Sequence, residues 1–321
     1  MRTTHKWLAV AAVVAAGAAV TGFFVMRRDA PPVSFEELQP VYGANSRQIE
    51  IAGVSVNYRD QGAGPVLVLL HGSFGSLRMF DDLVNELGQG YRIIRYDQPP
   101  GGLSGTVPKD FKLTSEAFLS LLLDKLGVSQ ASLLGTSSGG IIAYRFAAAY
   151  PARVSAVILS NVPPSAPVDN AGARQRLGIW LRWSIGACLK YSKPWSRTCW
   201  RDFLRSNFHR QDRVTDRLVD EYYDLNRRTG AGEFSSMTAI MRKDDEVLRL
   251  LAAVTAPTLL IWGLQDPVLP PRTATLLAER LRSSTVRTKL LDDVSHYPPL
   301  EAPREVAAAS QEFLRAVLTT H

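Results

Sequence analysis

The sequence predicts an α/β protein with a mostly parallel central sheet, helices on both faces, and a helical segment inserted between two of the strands. Three observations support this prediction. Short, almost wholly apolar runs such as PVLVLL and VSAVIL are bounded by glycine, proline or polar residues, which is typical of buried parallel strands. Segments with helical periodicity alternate with these runs, as β-α-β units require. The alternation stops near Pro163 and resumes near residue 255.

Before the insertion, the predicted elements follow one another at short intervals. Residues 48–59 indicate a hairpin that turns at Gly53. Helical segments separate the apolar strands that come next. In chain order, these elements are the strand PVLVLL, a helix over 78–87, the strand YRIIRYD, a helix over 114–126, the strand ASLLG, a helix over 139–150 and the strand VSAVILSN.

The insertion covers residues 163–254, which open with PPSAPVDNAGARQ and then indicate helices rich in Trp, Tyr and Arg. The earlier rhythm resumes with the strand APTLLIWG, a helix over 273–281, the strand TVRTKLL and a helix over 304–318. Because the same alternation continues after the interruption, we predict one sheet rather than two independent domains. The predicted core therefore comprises residues 48–162 and 255–321.

The composition is that of a globular chain, because 46% of the 321 residues are hydrophobic and 21% are charged. The formal net charge of +7 suits nucleic acid or an anionic membrane surface as a partner. However, the arginines are scattered among acidic residues, and no basic block contains interleaved aromatic residues. We therefore expect no nucleic-acid partner.

Residues 7–26 form an apolar run that matches the roughly 20 residues needed to span a bilayer. A cleaved signal peptide has a shorter apolar stretch, so we expect residues 1–28 to be an uncleaved membrane anchor rather than a signal segment. Positive charges lie on both sides of the run and leave its orientation open. We expect the globular part to be exported to the periplasmic or extracellular side, with residues 29–47 as a linker.

The chain has two cysteines, Cys188 and Cys199. In an exported domain they can form a disulfide, but two unrelated buried thiols explain them equally well. Their spacing matches no zinc-site pattern, and no phosphate-cradling loop with its lysine is present. The sequence therefore predicts neither a metal nor an organic cofactor.

The stretch LLGTSSGGI lies where a predicted strand meets a predicted helix, and it matches the G-x-S-x-G pattern of a nucleophile elbow. Its glycines permit a sharp turn that lifts the Ser137 side chain clear of the sheet. The N-terminus of the next helix presents free N–H groups to a developing negative charge. A glycine turn with incidental serines is the alternative interpretation, so other residues must decide.

A serine hydroxyl needs a base to take its proton. Among the histidines, we expect His71 to support a loop and His209 to lie on an exposed helix surface. His296 lies in the loop between the last predicted strand and the last helix, and Asp266 follows the strand APTLLIWG. The order Ser137, Asp266, His296 is the chain order of a strand-turn-helix hydrolase.

Five stretches, LLHGSFGS, YDQPPGGLSG, GTSSGG, WGLQDPVLP and SHYPPLEAP, resemble in order and spacing the landmarks of α/β-hydrolase-fold proteins. The resemblance runs from about residue 49 to the C-terminus and is weakest across the insertion. It implies that Ser137 is the nucleophile, Asp266 the acid and His296 the base. The sequence departs from the family pattern at Ser295, where glycine often precedes the histidine.

The resemblance also implies which groups bind the substrate. The backbone N–H groups of Ser138 and Ser73 are expected to form the oxyanion hole, with the N–H of Phe74 as the reserve second donor. Residues 163–254 lie where this family has a helical cap over the active site, although aromatic residues at helical spacing are more often plain core. Three aromatic side chains are expected to line an apolar pocket: Phe74, Trp180 and Trp183.

The resemblance implies hydrolysis of a carboxylic ester or lactone of a small, apolar molecule through an acyl-enzyme intermediate. A serine at the elbow argues against the dehalogenases and epoxide hydrolases of the fold, which use an aspartate. Carbon–carbon bond hydrolysis is an alternative, although HGSFGS lacks the glycine-proline-glycine run usual in those enzymes. Cofactor-free perhydrolysis of the haloperoxidase type and non-catalytic ligand binding are the others. The sequence does not predict an oligomeric state.

Overall fold

The structure is a computed structural model that describes residues 31–108, 110–163, 195–231, 244–283 and 285–318. These residues form an eight-stranded sheet with the strand order β1-β2-β4-β3-β5-β6-β7-β8. β2 is antiparallel to β1 and β4, and the other neighbouring strands are parallel, which confirms the predicted sheet. The strands are Arg47–Ile51 (β1), Val54–Gln61 (β2), Val66–Leu70 (β3), Arg92–Tyr96 (β4), Ala131–Thr136 (β5), Val154–Ser160 (β6), Thr258–Gly263 (β7) and Val286–Leu291 (β8).

Several helices follow a residue whose side chain satisfies one of their free N–H groups. The side chains of Thr114, Ser196 and Thr215 each accept a backbone N–H in the first turn of the helix that follows. A short 3₁₀ helix, Leu77–Phe80, precedes the second of the helices. A four-residue helix, Pro298–Glu301, precedes the last of them. The described α-helices of seven or more residues are Phe35–Tyr42 (α1), Asp81–Leu87 (α2), Ser115–Lys125 (α3), Ser138–Ala149 (α4), Arg197–Asn207 (α5), Asp216–Asn226 (α6), Asp244–Ala253 (α7), Arg272–Arg280 (α8) and Pro303–Leu318 (α9).

The core lies on both faces of the sheet, because successive side chains of each buried strand point to opposite sides. In β3, Val68 and Leu70 pack with helices α3, α4, α7 and α8. Leu67 and Leu69, which alternate with them, pack with α2 and α9 and with residues of α5 and α6. Burial on both faces explains why the strand reads as a continuous apolar run.

The insertion enters the sheet between β6 and β7, and its described residues contain α5, α6 and α7. Helices α5 and α6 pack against each other near the carboxyl ends of the strands, whereas α7 packs against α4 and α8 in the core. The sequence predicts one cap over residues 163–254. In the structure, α7 packs in the core and α5 and α6 do not share its neighbours. The division of the chain into core and cap stays a prediction.

The segment that the sequence treats as a linker contains helix α1. Ser34 and the side chain of Glu37 form a reciprocal capping box at its start. The backbone of Val33 pairs with the insertion, where the Thr229 N–H donates to the Val33 carbonyl at 2.8 Å. At the other end of α1, the Tyr42 hydroxyl donates to Asp224 at 2.8 Å. Residues 33–42 thus pack on α6 instead of forming a free spacer.

Within the described ranges, no helix is both long enough and apolar enough to cross a membrane. The predicted anchor, residues 1–28, lies outside those ranges, so the anchor and its orientation stay predictions. In α5, Cys199 is buried and disulfide-bonded. The chain's other cysteine, Cys188, also lies outside the described residues.

Candidate active site

Ser137 occupies a sharp turn between β5 and α4. Its backbone has φ 50° and ψ −124°, a left-handed conformation that side-chain-bearing residues rarely adopt. The flanking glycines allow this turn to pack closely. A Cβ at Gly135 would lie 2.5 Å from the Gly139 carbonyl oxygen, and one at Gly139 would lie 2.1 Å from the Leu70 carbonyl oxygen. The G-x-S-x-G spacing is therefore a steric requirement of the turn.

His296 and Asp266 lie next to Ser137, although they are distant from it in sequence. The His296 Nε2 atom is 3.2 Å from Ser137 Oγ, and Nδ1 is 2.8 Å from Asp266 Oδ2. His296 and Asp266 are buried, with exposed fractions of 4% and 2%. Because Nδ1 faces a carboxylate, we assign the imidazole proton to Nδ1, which leaves Nε2 free to accept the serine proton. The structure thus joins the three predicted side chains in one hydrogen-bonded chain.

The Asp266 carboxylate is held by four donors. Its Oδ1 atom accepts the N–H groups of Val268 and Leu269 at 2.7 and 2.9 Å. Its Oδ2 atom faces His296 and also accepts Asn161 Nδ2 at 2.6 Å. Asn161 is fully buried at the end of β6, and its Oδ1 accepts the Gly263 N–H at 3.1 Å. The carboxylate plane is therefore fixed before any substrate binds.

Asn161 is a site residue that the sequence analysis missed. Its backbone φ of 47° lies in the left-handed region, which asparagine tolerates better than most residues. A polar residue that follows an apolar strand, next to a double proline, was the available signal. Nothing in the local sequence indicates its partner, because Asp266 lies more than one hundred positions further along the chain.

The predicted oxyanion donors lie on either side of the Ser137 turn. A Cβ at Gly72 would lie 3.1 Å from Ser137 Cβ, so the loop that contains Ser73 borders the nucleophile directly. The Ser73 hydroxyl donates to Ser138 Oγ at 3.0 Å. The backbone N–H groups of Ser73 and Ser138 have no acceptor among the described residues. Two N–H groups in the residues that border Ser137 thus have no acceptor in the described part of the chain.

His71 supports this loop from below. Its Nδ1 donates to the Gly72 carbonyl at 2.8 Å, and its Nε2 accepts the Gln98 N–H at 2.9 Å. Burial lowers the pKa of His71, against the opposing charge of Asp97. The ring is therefore a neutral part of the scaffold, and both of its nitrogens are already bonded.

Phe74, the predicted substrate-contacting residue of this loop, enters a cluster of aromatic rings from α5 and the residues just before it. Its ring centroid lies 5.4 Å from that of Trp195, 5.3 Å from that of Trp200 and 5.7 Å from that of Phe203. Such centroid separations are favourable for aromatic packing. Two other residues predicted to contact the substrate, Trp180 and Trp183, lie outside the described residues, and their roles stay predictions.

The insertion also holds the backbone of both loops that flank Ser137. Asn226, at the end of α6, donates from Nδ2 to the Phe74 carbonyl at 2.9 Å. On the other side, the His296 N–H donates to the Asn207 carbonyl at the end of α5 at 3.0 Å. Contacts between the insertion and the two loops that flank Ser137 are therefore hydrogen-bonded as well as apolar.

A buried carboxylate, Glu301, reinforces the second of these contacts. Its Oε1 accepts the Ser295 N–H at 2.8 Å, and its Oε2 accepts the N–H groups of His209 and Arg210 at 2.7 and 3.0 Å. Burial raises the pKa of Glu301, while the three N–H donors act in the opposite direction. One carboxylate thus ties the residue before His296 to the insertion.

A similar carboxylate, Glu221 of α6, lies near the other loop. It accepts the Ser76 hydroxyl at 3.0 Å and the Arg78 Nε at 2.9 Å. Burial raises the pKa of Glu221, and the charge of Arg78 opposes this effect. Within the described ranges, no group of three or more His, Cys, Asp or Glu side chains is arranged to hold a metal ion.

Comparison with known proteins assigns this architecture to a family. The family model described as alpha/beta hydrolase fold matches residues 65–303. A relative from Comamonas testosteroni, 2-hydroxy-6-oxo-6-phenylhexa-2,4-dienoate hydrolase, is 24% identical over 275 residues, which cover 83% of this chain and 93% of the relative. Pimeloyl-(acyl-carrier protein) methyl ester esterase from Aeromonas hydrophila is 27% identical over 274 residues, covering 81% of this chain and all of the relative.

A solved structure gives the same assignment. The meta-cleavage product hydrolase from Pseudomonas fluorescens IP01 superposes with a TM-score of 0.67 at 21% identity, covering 84% of this chain and 97% of that one. The family match extends over most of the described core, including the Ser137 turn, Asp266 and His296. The chain belongs to the α/β-hydrolase fold family.

Proposed function

We propose that the protein is a serine hydrolase that cleaves a carboxylic ester or lactone of a small, apolar substrate through an acyl-enzyme intermediate. The hydrogen-bonded chain from Ser137 through His296 to Asp266 is the observation that supports this proposal most directly. Two unbonded backbone N–H groups, at Ser73 and Ser138, lie beside the serine and suit an oxyanion.

In the proposed mechanism, His296 Nε2 takes the Ser137 hydroxyl proton while Oγ attacks the substrate carbonyl carbon. The N–H groups of Ser73 and Ser138 stabilise the negative oxygen of the tetrahedral intermediate. His296 then gives its proton to the leaving alcohol, and the C–O bond breaks. A water molecule deprotonated by His296 then attacks the acyl carbon. The bond from this carbon to Oγ breaks and His296 returns the proton to Oγ, which releases the acid and restores Ser137. Asp266 keeps the ring oriented and stabilises its charged form throughout.

Carbon–carbon bond hydrolysis is the second candidate, because a relative is named for such a substrate. The oxyanion loop HGSFGS differs from the glycine-proline-glycine loop usual in those enzymes, and another relative is named as an ester esterase. For this reason we place ester hydrolysis first. Both reactions use the same nucleophile, base and acid, so the bond that is cut must be tested directly.

We further propose that α5 and α6 belong to a cap over the site and that residues 48–162 and 255–321 form the hydrolase core. We also propose that residues 1–28 anchor the chain in a membrane and that the globular part is exported. The aromatic cluster around Phe74 supports an apolar pocket under the cap. The apolar run at residues 7–26 supports the anchor.

The first experiment treats the full-length protein with a fluorophosphonate probe and with p-nitrophenyl esters of increasing chain length. The same assays are run on Ser137→Ala, and on Ser132→Ala as a matched control from the far end of β5. We expect labelling and turnover in the wild type and in Ser132→Ala, and a loss of about 10⁶-fold in kcat for Ser137→Ala.

A parallel assay follows the absorbance of 2-hydroxy-6-oxo-6-phenylhexa-2,4-dienoate, whose conjugated chromophore is destroyed when its carbon–carbon bond is hydrolysed. Ester turnover without loss of this absorbance supports esterase activity. Labelling of Ser137 with dienoate cleavage but no ester turnover supports the second candidate. A folded protein that neither labels nor turns over any of these compounds contradicts the proposed catalytic role of Ser137.

A further inference from the structure

Tyr222 of α6 has a buried hydroxyl that bonds to no group in the described residues. The residue is 2% exposed, and its hydroxyl oxygen has no hydrogen-bond partner in the described part of the chain. A buried polar group without a partner typically costs about 1–3 kcal/mol of folding stability. Native proteins retain few such groups, and each calls for an explanation. Replacement by phenylalanine would remove this cost without changing the size of the ring.

The position of Tyr222 places its ring beside the oxyanion loop. Asn226, one helical turn further along α6, donates both to the Phe74 carbonyl at 2.9 Å and to the Tyr222 carbonyl at 2.8 Å. Residues four positions apart lie on the same face of a helix, so Tyr222 faces the loop as Asn226 does. The Trp200 ring contacts both residues, with its centroid 5.8 Å from Tyr222 and 5.3 Å from Phe74.

Tyr222 also lies in one apolar cluster with Tyr297, the residue that follows His296. Burial raises the pKa of Tyr222, and the neighbouring Tyr297 and Glu221 raise it further. Tyr297 follows His296 and borders the nucleophile, because a Cβ at Gly72 would lie 3.5 Å from Tyr297 Cε1 and 3.1 Å from Ser137 Cβ. Tyr222 therefore lies in the apolar cluster that also contains Tyr297 and against which Phe74 packs, so its ring is close to both loops that flank Ser137.

We propose that the Tyr222 hydroxyl donates a hydrogen bond to an oxygen atom of the substrate that does not belong to the scissile ester or lactone group. The protein would then select substrates that carry such an additional oxygen. This inference rests on the proposed hydrolase function. The hydroxyl stays protonated at neutral pH because burial raises its pKa, so it acts as a donor.

The test compares the wild type with Tyr222→Phe, using Tyr223→Phe as a matched control on the next position of the same helix. Two pairs of similarly sized esters serve as probes. On the acyl side the pair is p-nitrophenyl butyrate and p-nitrophenyl methoxyacetate. On the alcohol side the pair is butyl acetate and 2-methoxyethyl acetate, whose hydrolysis is measured as the release of acid. kcat/KM is measured for each ester, and the mutant-to-wild-type ratio corrects for differences in intrinsic reactivity.

For Tyr222→Phe we expect kcat/KM to fall about 10-fold on the oxygen-bearing ester of at least one pair, and less than 2-fold on its hydrocarbon partner. The pair that responds identifies the side of the ester on which the oxygen lies. The thermal unfolding midpoint should stay the same or rise, since an unsatisfied hydroxyl is removed. Tyr223→Phe should leave both ratios unchanged.

Equal ratios within both pairs, in an enzyme whose turnover depends on Ser137, would overturn this inference alone. A lower unfolding midpoint together with an equal loss on all four esters would also overturn it, because the hydroxyl would then be structural. If the wild type shows no Ser137-dependent turnover, the proposed function fails and this inference fails with it.

Discussion

Replacing Glu301 by glutamine tests whether the insertion helps to position His296, the proposed base. Glu301 is 1% exposed, and its carboxylate accepts three backbone N–H groups. One comes from Ser295, next to His296, and the others come from His209 and Arg210 in the insertion. A glutamine has nearly the same shape but only one oxygen, so its NH₂ group must face at least one N–H donor.

The cost follows from this count of donors. The least disruptive orientation of the amide directs its oxygen at His209 and Arg210 and its NH₂ at Ser295, which leaves the Ser295 N–H buried without an acceptor. Hydrogen bonds to a charged group contribute about 1.5–3 kcal/mol each, and the remaining bonds also lose their charge assistance. We expect Glu301→Gln to lower the free energy of unfolding by about 2–4 kcal/mol. Release of the Ser295 backbone beside His296 should reduce kcat about 10- to 100-fold.

Urea unfolding measures the stability change, and ester hydrolysis measures kcat and KM separately. A positioning role predicts a lower kcat with KM changed less than about 2-fold, and slower fluorophosphonate labelling of Ser137. Glu305→Gln is the matched control, because Glu305 pairs with the same Arg210 at 2.9 Å but its side chain is 41% exposed. That variant should change stability by less than about 1 kcal/mol. A Glu301→Gln enzyme with wild-type kcat would refute the reasoning, whatever its stability.

Two further substitutions test other parts of the site. Asn161→Gly removes the donor to Asp266 without straining the left-handed backbone, so kcat should fall about 10-fold at nearly constant KM. Asn57→Ala is the control, because it removes a similar hydrogen bond to Asp97, away from Ser137. This control should keep the wild-type kcat. An unchanged kcat for Asn161→Gly would contradict this. His71 has a lowered pKa in the folded state, so below pH about 6.5 the unfolded chain binds more protons than the folded chain. The free energy of unfolding should therefore fall on acidification. Its slope should approach about 1.4 kcal/mol per pH unit, the value for one proton. Urea unfolding at pH 5–7 should show a smaller slope for His71→Gln, and equal slopes would rule out this role.

The sequence predicted the sheet and its order of elements closely, because buried parallel strands leave a strong apolar signal. The last predicted helix, 304–318, agrees with Pro303–Leu318 to within one residue. The side chains of Ser137, Asp266 and His296 could be nominated because their types and order are informative without any knowledge of contacts. Their catalytic roles stay predictions until turnover is measured.

Other features depend on contacts that no local pattern contains. Helix α1 had a local signal in the capping box of Ser34 and Glu37, but its packing on α6 involves a partner about 180 positions away. The prolines around it favoured a spacer in the sequence analysis. Helix α7 has the periodicity of any amphipathic helix, and only the structure shows that its apolar face packs on the core. Asn161 and Glu301 are polar residues whose burial could not be inferred from their neighbours in sequence.

The hydrogen bonds made by the insertion determine how a substitution in α5 or α6 is expected to affect activity. If α5 and α6 only lined a pocket, substitutions there would alter substrate preference and leave the chemical step intact. Instead, Asn226 holds the carbonyl of Phe74 in the oxyanion loop, and the end of α5 accepts the backbone N–H of His296. The two helices therefore help to set the distance between the Phe74 loop and His296, which hold the proposed oxyanion donors and base. A substitution in either helix that removes such a contact should consequently affect kcat as well as specificity. The Tyr222 side chain makes no hydrogen bond to the backbone of these loops, so its substitution should affect specificity alone.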